Sequence, residues 1–374
     1  MGTKPACNTD FACEACDSAA DCPESDICLP SGACAAETDV AYVVAGGADN
    51  PTCSKAAPCS KLASGLAAVT GATPRPFLKT KGSFDEAVVI ARNVTILAEP
   101  GTKLTRNTDG AILTINGTSV VEINDLEIHD SNAGTDPGIN IGGTSELTLK
   151  RVTVSENRGN GITCQGKSLT VFGSKIVDNE GQGISSTVCK LTLSSSTIAF
   201  NTLGGITVNG GSFDITNNFV FENGDRTTAL AGGAQLFPMA GTTNRFEFNT
   251  VVDNHVRANI AAPAAGVVCD IAGFTAPNNI IVGNDINGDE LGVNANIVAT
   301  AMCSFPSSTI AGLPEDIAAL MFVSERDPRN YRLKAGSSAI GTATTPSTVT
   351  VDFDGDARPQ GTGADRGADE LKAP

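Results

Sequence analysis

The sequence predicts an all-β fold, a right-handed parallel β-helix solenoid with an N-terminal helical cap and an irregular C-terminal cap. Three observations predict it. A repeat of fixed length runs through the middle of the chain, each repeat holds three short alternating apolar segments, and asparagines return at the same interval. Leu147-Thr-Leu149, Leu169-Thr-Val171, Leu191-Thr-Leu193 and Phe213-Asp-Ile215 keep that spacing, as do Asn157, Asn179, Asn201 and Asn223, and the pairs Gly161-Ile162, Gly183-Ile184 and Gly205-Ile206. A constant step of this size is the mark of a solenoid.

Within one unit, Leu169–Val171, Ile176–Val177 and Gly183–Ser185 alternate with period two and are too short for helices. Three strands per coil place residues one period apart about 4.8 Å from each other on neighbouring rungs. Asparagine suits that stack, because it tolerates turn dihedrals and its amide can bond to the asparagines above and below, so the recurring Asn is read as structural. Looser rungs continue outward, through Asn93–Ile96, Ala111–Ile115, Val121–Ile123 and Leu126–Ile128 upstream. Downstream, Phe246–Asn254 and Asn278–Asn284 repeat the signature at a spacing of roughly 30, with the excess expected in loops at 224–233 and 257–275. Nine or ten turns are expected. Strand edges at both ends need covers. Leu62, Leu66 and Val69 have helical spacing and suit the N-terminal one, while the chain from 301 onward loses the period and is expected to close the other end. The expected organisation is a disulfide-rich module at 1–38, a strand and capping helix at 39–80, the β-helix at 81–300 and the C-terminal cap at 301–374.

Composition agrees and excludes several functions. The 374 residues carry 25 basic and 41 acidic side chains, a formal charge of −16, with 40 Gly and no Trp. That acidity argues against a nucleic-acid partner. No apolar run approaches the ~18 residues of a membrane span, so a soluble chain is expected; a monomer is expected as well. Half of the cysteines, Cys7, Cys13, Cys16, Cys22, Cys28 and Cys34, are crowded at the start of the chain. They read as a disulfide-stapled module of open connectivity. Zinc is the less favoured reading, since only Cys13-Glu-Ala-Cys16 has ligand spacing. Cys53 and Cys59 bracket a short loop and are expected to pair. Cys164–Cys189 and Cys269–Cys303 are expected as bridges, with buried thiols as the alternative. This cysteine usage implies a secreted or cell-surface protein. The opening Met-Gly-Thr-Lys has no signal features, so an export signal is expected to have been removed and Met1 to be an artificial start.

These residues resemble the right-handed parallel β-helix proteins of the pectate-lyase-like superfamily. Within it they are similar to bacterial surface proteins with a "choice-of-anchor Q" ending. Pro51-Thr-Cys53…Pro58-Cys59-Ser…Leu66 resembles that family's opening, and Gly82-Ser-Phe-Asp-Glu86-Ala-Val with Asn93-Val-Thr-Ile resembles its entry rung. Ala335-Gly-Ser-Ser-Ala-Ile340 and Asp352-Phe-Asp-Gly-Asp-Ala-Arg-Pro-Gln…Gly363-Ala-Asp-Arg-Gly-Ala-Asp-Glu370 resemble its closing run. The segment up to Cys34 looks like small C-x5-D-C-P-x4-C-x5-C modules of secreted bacterial proteins. The resemblance implies fold and export and assigns no activity, because the superfamily hosts lyases, hydrolases, esterases and non-catalytic proteins.

Candidate chemistry is sparse. Asn107-Thr-Asp109-Gly matches a polygalacturonase motif, but no Asp-Asp or Gly-His-Gly follows, and it is read as a turn. Taking Ile of each Gly-Ile as inward, the outward stripe of that strand is Asn140, Thr163, Ser185, Thr207 and Gln235. It is neutral and small, without the cation a lyase needs as base. This stripe is the candidate binding face. Weak catalytic candidates are Arg158, Glu180, Asp225 and Arg226, beside turns. His129 and His255 are read as structural or solvated, most phenylalanines as inward, and Phe237 as exposed in a loop. Calcium is the one candidate cofactor, at Asp352, Asp354 and Asp356 or, more loosely, at Asn284–Glu290, with Asx turns as the simpler reading. The reading leans to a non-catalytic exported protein that binds a polysaccharide or cell-surface macromolecule. A polysaccharide lyase or glycoside hydrolase with a loop-built site is the alternative, and a structural spacer the third reading.

Overall fold

The structure, a computed structural model, describes residues 4–7, 13–14, 16, 18–48, 50–69, 75–131, 134–257, 264–286, 293–299, 303–312, 314–344 and 347–372. Each regular coil lays down three strands, such as Ile162–Cys164, Ser168–Phe172 and Lys175–Val177. Like strands of successive coils pair in parallel and form three sheets, here called I, II and III in that order, of nine, nine and ten strands. Nine stacked strands are joined by eight windings, so the solenoid makes about eight turns. That is fewer than expected, because the outermost strands belong to partial coils.

The period of the sequence is the register of the strands. Leu147, Leu169, Leu191 and Phe213 are paired in one column of sheet II. Alternation then sends Leu169, Val171, Ile176 and Ile184 into one continuous, fully buried core. Two corners of each coil are turned by residues of positive φ. One corner uses Asp130, Glu156, Asp178, Phe200, Glu222 and Asp253, with φ between 52° and 61°. The residue that follows, Ser131 after Asp130 and an asparagine after each of the others, points inward. Asn157, Asn179, Asn201, Asn223, Asn254 and Asn284 each donate from Nδ2 to Oδ1 of the ladder asparagine one rung on, ending at Asn296. A second ladder, Asn218–Asn249–Asn279, lines the other corner. The repeated glycine is a close-approach requirement: a Cβ on Gly183 would sit 2.8 Å from Asn201 Nδ2 and 2.8 Å from Gly205 O.

At the N-terminal end, helix Leu62–Val69 buries Leu62, Leu66 and Val69. Its first N–H groups are received by Glu86, from Leu62 at 2.7 Å and Ala63 at 3.3 Å. Arg92 donates to the carbonyl of Leu66, so the helix carries an anion at its start and a cation near its end, as its dipole favours. Cys53–Cys59 closes the neighbouring loop, and Cys16–Cys28 and Cys22–Cys34 staple the N-terminal module. Cys164–Cys189 and Cys269–Cys303 also form, each tying a sheet I strand to a later turn.

The C-terminal part differs from expectation. Strands Ile297–Ala299 and Thr309–Ala311 carry sheets I and III to residue 311. The chain then folds back along the outer face of sheet III. On that face the outward positions change from polar (Lys103, Glu127, Thr153, Lys175) to apolar (Phe219, Phe221, Ile280, Val282). Phe219, Ile280 and Val282 pack with Leu320, Phe322, Tyr331, Leu333, Ala339 and Ala368 in a second core. Phe219 and Phe221 therefore point outward, because Val220 between them takes the core position. Phe237 likewise ends the sheet I strand Ala234–Phe237 rather than lying in a loop.

Candidate functional site

Sheet I presents one outward column. Thr114, Asn140, Thr163, Ser185, Thr207 and Gln235 are paired in succession, each half-buried and each uncharged. The five stripe residues read from the sequence thus fall in one register. Asn160 donates to Thr163 Oγ1 at 3.1 Å and Gln235 to Leu230 O at 3.0 Å, whereas Thr207 Oγ1 is buried without a partner. Apolar side chains rim this face on both sides. Leu203 and Leu230 are exposed at the turn entering sheet I, and Val188 and Met239 at the turn leaving it. Apart from the buried Thr207 hydroxyl, the arrangement offers hydroxyl and amide groups at rung spacing, between apolar margins and without charge.

The four catalytic candidates are not brought together as one site. Arg158 and Glu180 are solvent-exposed on adjacent rungs. Asp225 caps its own turn, accepting from the amides of Thr227 and Ala229 at 2.8 and 3.1 Å and from that of Thr228. Although its partial burial opposes ionisation, the Thr228 hydroxyl and these amides hold its carboxyl well below the usual range. Arg226 makes a bidentate pair with Asp285, at 3.2 and 2.7 Å.

That pair opens onto a network that sequence reasoning missed. His255 sits between Glu222, 3.2 Å from Nε2, and Asp285, 2.9 Å from Nδ1. The Nδ1 contact is an ion pair rather than an aligned hydrogen bond. Arg329 reaches Glu222 and lies 3.5 Å from Asp253, which accepts from the Tyr331 hydroxyl at 2.6 Å. Burial alone would lower the His255 pKa, but Asp285 and Glu222 outweigh it and raise it to about 9. Burial also raises the Asp253 carboxyl, against the Tyr331 hydrogen bond. Every ionisable group here is engaged by another, and Arg329 and Tyr331 come from the folded-back segment. The geometry therefore fastens that segment to a coil corner. A faint signal was present, since Glu222-Asn223, Asp253-Asn254-His255 and Asn284-Asp285 all flank ladder asparagines.

The acidic C-terminal motif is also occupied. Asp352 is fully buried and accepts from the amides of Asp354, Asp356 and Glu370 at 2.9, 2.7 and 3.0 Å. Asp354 pairs bidentately with Arg332, and Asp356 with Lys372 at 3.1 Å. Oxygens of Asp352 and Asp354 lie within 4.8 Å of one from Asp369, not of Asp356, and the cation among them is the Arg332 guanidinium. Burial raises Asp369 to about 6. In the looser calcium candidate, Asn287, Asp289 and Glu290 lie outside the described residues. Between sheet III and the folded-back segment, two cavities of about 450 and 390 Å³ share Lys175, Thr197 and Phe353 in their linings.

The family model described as "Right handed beta helix region" matches residues 83–220 and 137–301, together more than half of the chain. The chain belongs to the right-handed β-helix family. Among solved structures, the crystal structure of pectate lyase Pel9A is similar with a TM-score of 0.54 and 17% identity, over 88% of this chain and 96% of that one. The crystal structure of Dettilon tailspike protein (gp208) aligns with a TM-score of 0.37 and 12% identity, over 72% of this chain and 68% of that one. The likeness to the lyase is one of fold. No curated protein sequence gives a significant match. Among the described residues, five bridges suggest an extracellular protein, and no helix is long and apolar enough to cross a membrane.

Proposed function

We propose that this chain is an extracellular binding protein, and that the outward face of sheet I receives a neutral polysaccharide strand without cleaving it. The observation that carries this is the uncharged column Thr114–Gln235, in register over six rungs and rimmed by exposed Leu203, Leu230, Val188 and Met239. Hydroxyl and amide groups repeating at about 4.8 Å match a polymer that offers hydroxyls along its length and no charge. The similarity of the C-terminal run to choice-of-anchor Q endings supports display at a bacterial surface, and we read the protein as a monomer there. A lyase or hydrolase is the weaker reading, because Asp225 and Arg226 are consumed by a turn and an ion pair while Arg158 and Glu180 stand in open solvent.

The test is a panel of neutral and uronate polysaccharides, assayed for binding and for turnover by unsaturated-product absorbance and reducing ends. Saturable binding of a neutral polymer without turnover supports the proposal. Turnover lost in Arg158→Ala or Arg226→Ala establishes the enzyme reading instead, and neither binding nor turnover leaves a structural spacer.

A further inference from the structure

Acidic side chains of one rung are often met by a base on a neighbouring rung in this molecule. Lys103 pairs with Glu127 at 3.1 Å, Lys150 with Glu122 at 2.9 Å, Lys167 with Glu146 at 2.7 Å and Arg245 with Asp214 at 2.7 Å. At the left-handed corner that ends sheet III, Glu222 and Asp253 receive Arg329. The earlier rungs of that corner are different. Asp130, Glu156 and Asp178 occupy it on three successive coils, at φ of 61°, 57° and 57°, and among the described residues none forms an ion pair with Lys or Arg. Burial, and then the charge of Glu156 on the preceding rung, raise the Asp178 carboxyl.

The group that faces this edge is an imidazole. His129 ends the outward column of its sheet III strand and places Nδ1 2.9 Å from Asp130 Oδ2. One donor atom each from His129, Asp130 and Glu156 lies within 4.8 Å of the other two. His129 is mostly enclosed, whereas both carboxylates are exposed. The C-terminal acidic group makes the contrast, since there a guanidinium lies among the carboxylates.

We propose that His129, Asp130 and Glu156 bind a divalent cation of the Zn²⁺ type, bridging two coils at this corner. One imidazole nitrogen with two carboxylate oxygens is a borderline donor set, which favours Zn²⁺ over the hard, all-oxygen preference of Ca²⁺. Tetrahedral bonds of about 2.0–2.1 Å need donors about 3.3 Å apart, so Asp130 Oδ2 opens slightly from its 2.9 Å contact with Nδ1 while the Glu156 carboxylate closes in, both by side-chain rotation. Solvent completes the shell, and Asp178 lies one rung further along the same edge.

The experiment titrates the full chain with ZnCl2, and separately with CaCl2, by calorimetry in a non-chelating buffer, for wild type, His129→Gln and Glu156→Gln. One saturable Zn²⁺ site is expected, weakened at least about tenfold by either substitution, with no comparable Ca²⁺ site. A Zn²⁺-dependent rise in melting temperature, present in wild type and absent from both variants, is expected alongside it. Metal-free melting of Glu156→Gln, unchanged because that side chain is exposed, separates lost binding from lost folding. Absence of a saturable Zn²⁺ site, equal binding by both variants, or Ca²⁺ binding as tight as Zn²⁺ would overturn the proposal.

Discussion

Asn179 donates from Nδ2 to Oδ1 of Asn201 at 2.8 Å, across one full turn of the coil. Asn201 repeats the gesture to Asn223 at 2.9 Å and also donates to the carbonyls of Ile176 and Ala199. Both residues are sealed from solvent. Each amide thus satisfies its own corner, which has no helical or sheet partner, and hands an acceptor to the next.

Replacing Asn201 with Ala therefore orphans groups on three rungs at once. Two or more buried polar groups without partners cost about 1–3 kcal/mol each, so a loss of about 3–5 kcal/mol is expected in urea unfolding. Asn160→Ala, at a half-buried position beside the ladder, should cost less than about 1.5 kcal/mol.

How stability varies with pH follows from His255. Its folded pKa of about 9 lies above its ordinary 6.5, so its protonated form is stabilised by folding. That contribution is complete below pH 6.5 and is lost as the pH rises through 9. The melting temperature of wild type should fall across this window. His255→Gln should flatten the fall, and an unchanged slope would show that the Glu222–His255–Asp285 contacts do not govern it.

Loosening the folded-back segment should expose the apolar end of sheet III. Arg358 and Glu370 form a 3.0 Å ion pair with both side chains 1% exposed, and the guanidinium stacks 4.4 Å from the Phe248 ring centre. Removing one partner of a buried pair costs about 3–5 kcal/mol. Arg358→Ala is expected to make residues 314–372 sensitive to limited proteolysis and to raise binding of an apolar dye, as Phe219 and Phe221 are uncovered. The coil itself should keep its circular dichroism.

Much of this architecture was legible because β-helix register is a one-dimensional property. A constant 22-residue step places Thr163 beside Ser185 and Asn179 beside Asn201 without any knowledge of the rest of the chain. The step lengthens to 31 and 30 residues at Asn223–Asn254–Asn284, and there the reading weakened. The folded-back segment was not foreseen, although Phe219 and Phe221 flanking Val220 were its trace: outward phenylalanines need a cover. Contacts such as Arg329–Glu222 join residues with no periodic relation, so spacing carries no information about them. The calcium reading of Asp352-Phe-Asp-Gly-Asp356 rested on carboxylate spacing alone, which does not reveal that amides, Arg332 and Lys372 take those oxygens.

The ligand face is tested most directly by placing one charge on each of two sheets. Thr163→Lys and Ser185→Lys alter sheet I, while Thr148→Lys and Thr170→Lys make the same change at paired outward positions of sheet II. Affinity for the neutral polysaccharide that binds wild type is then measured for all four. Losses of about tenfold or more in the sheet I variants, with sheet II variants binding like wild type, are expected from burying an unpaired charge in the contact. Equal affinity across all four, or loss confined to the sheet II pair, would contradict sheet I as the binding surface.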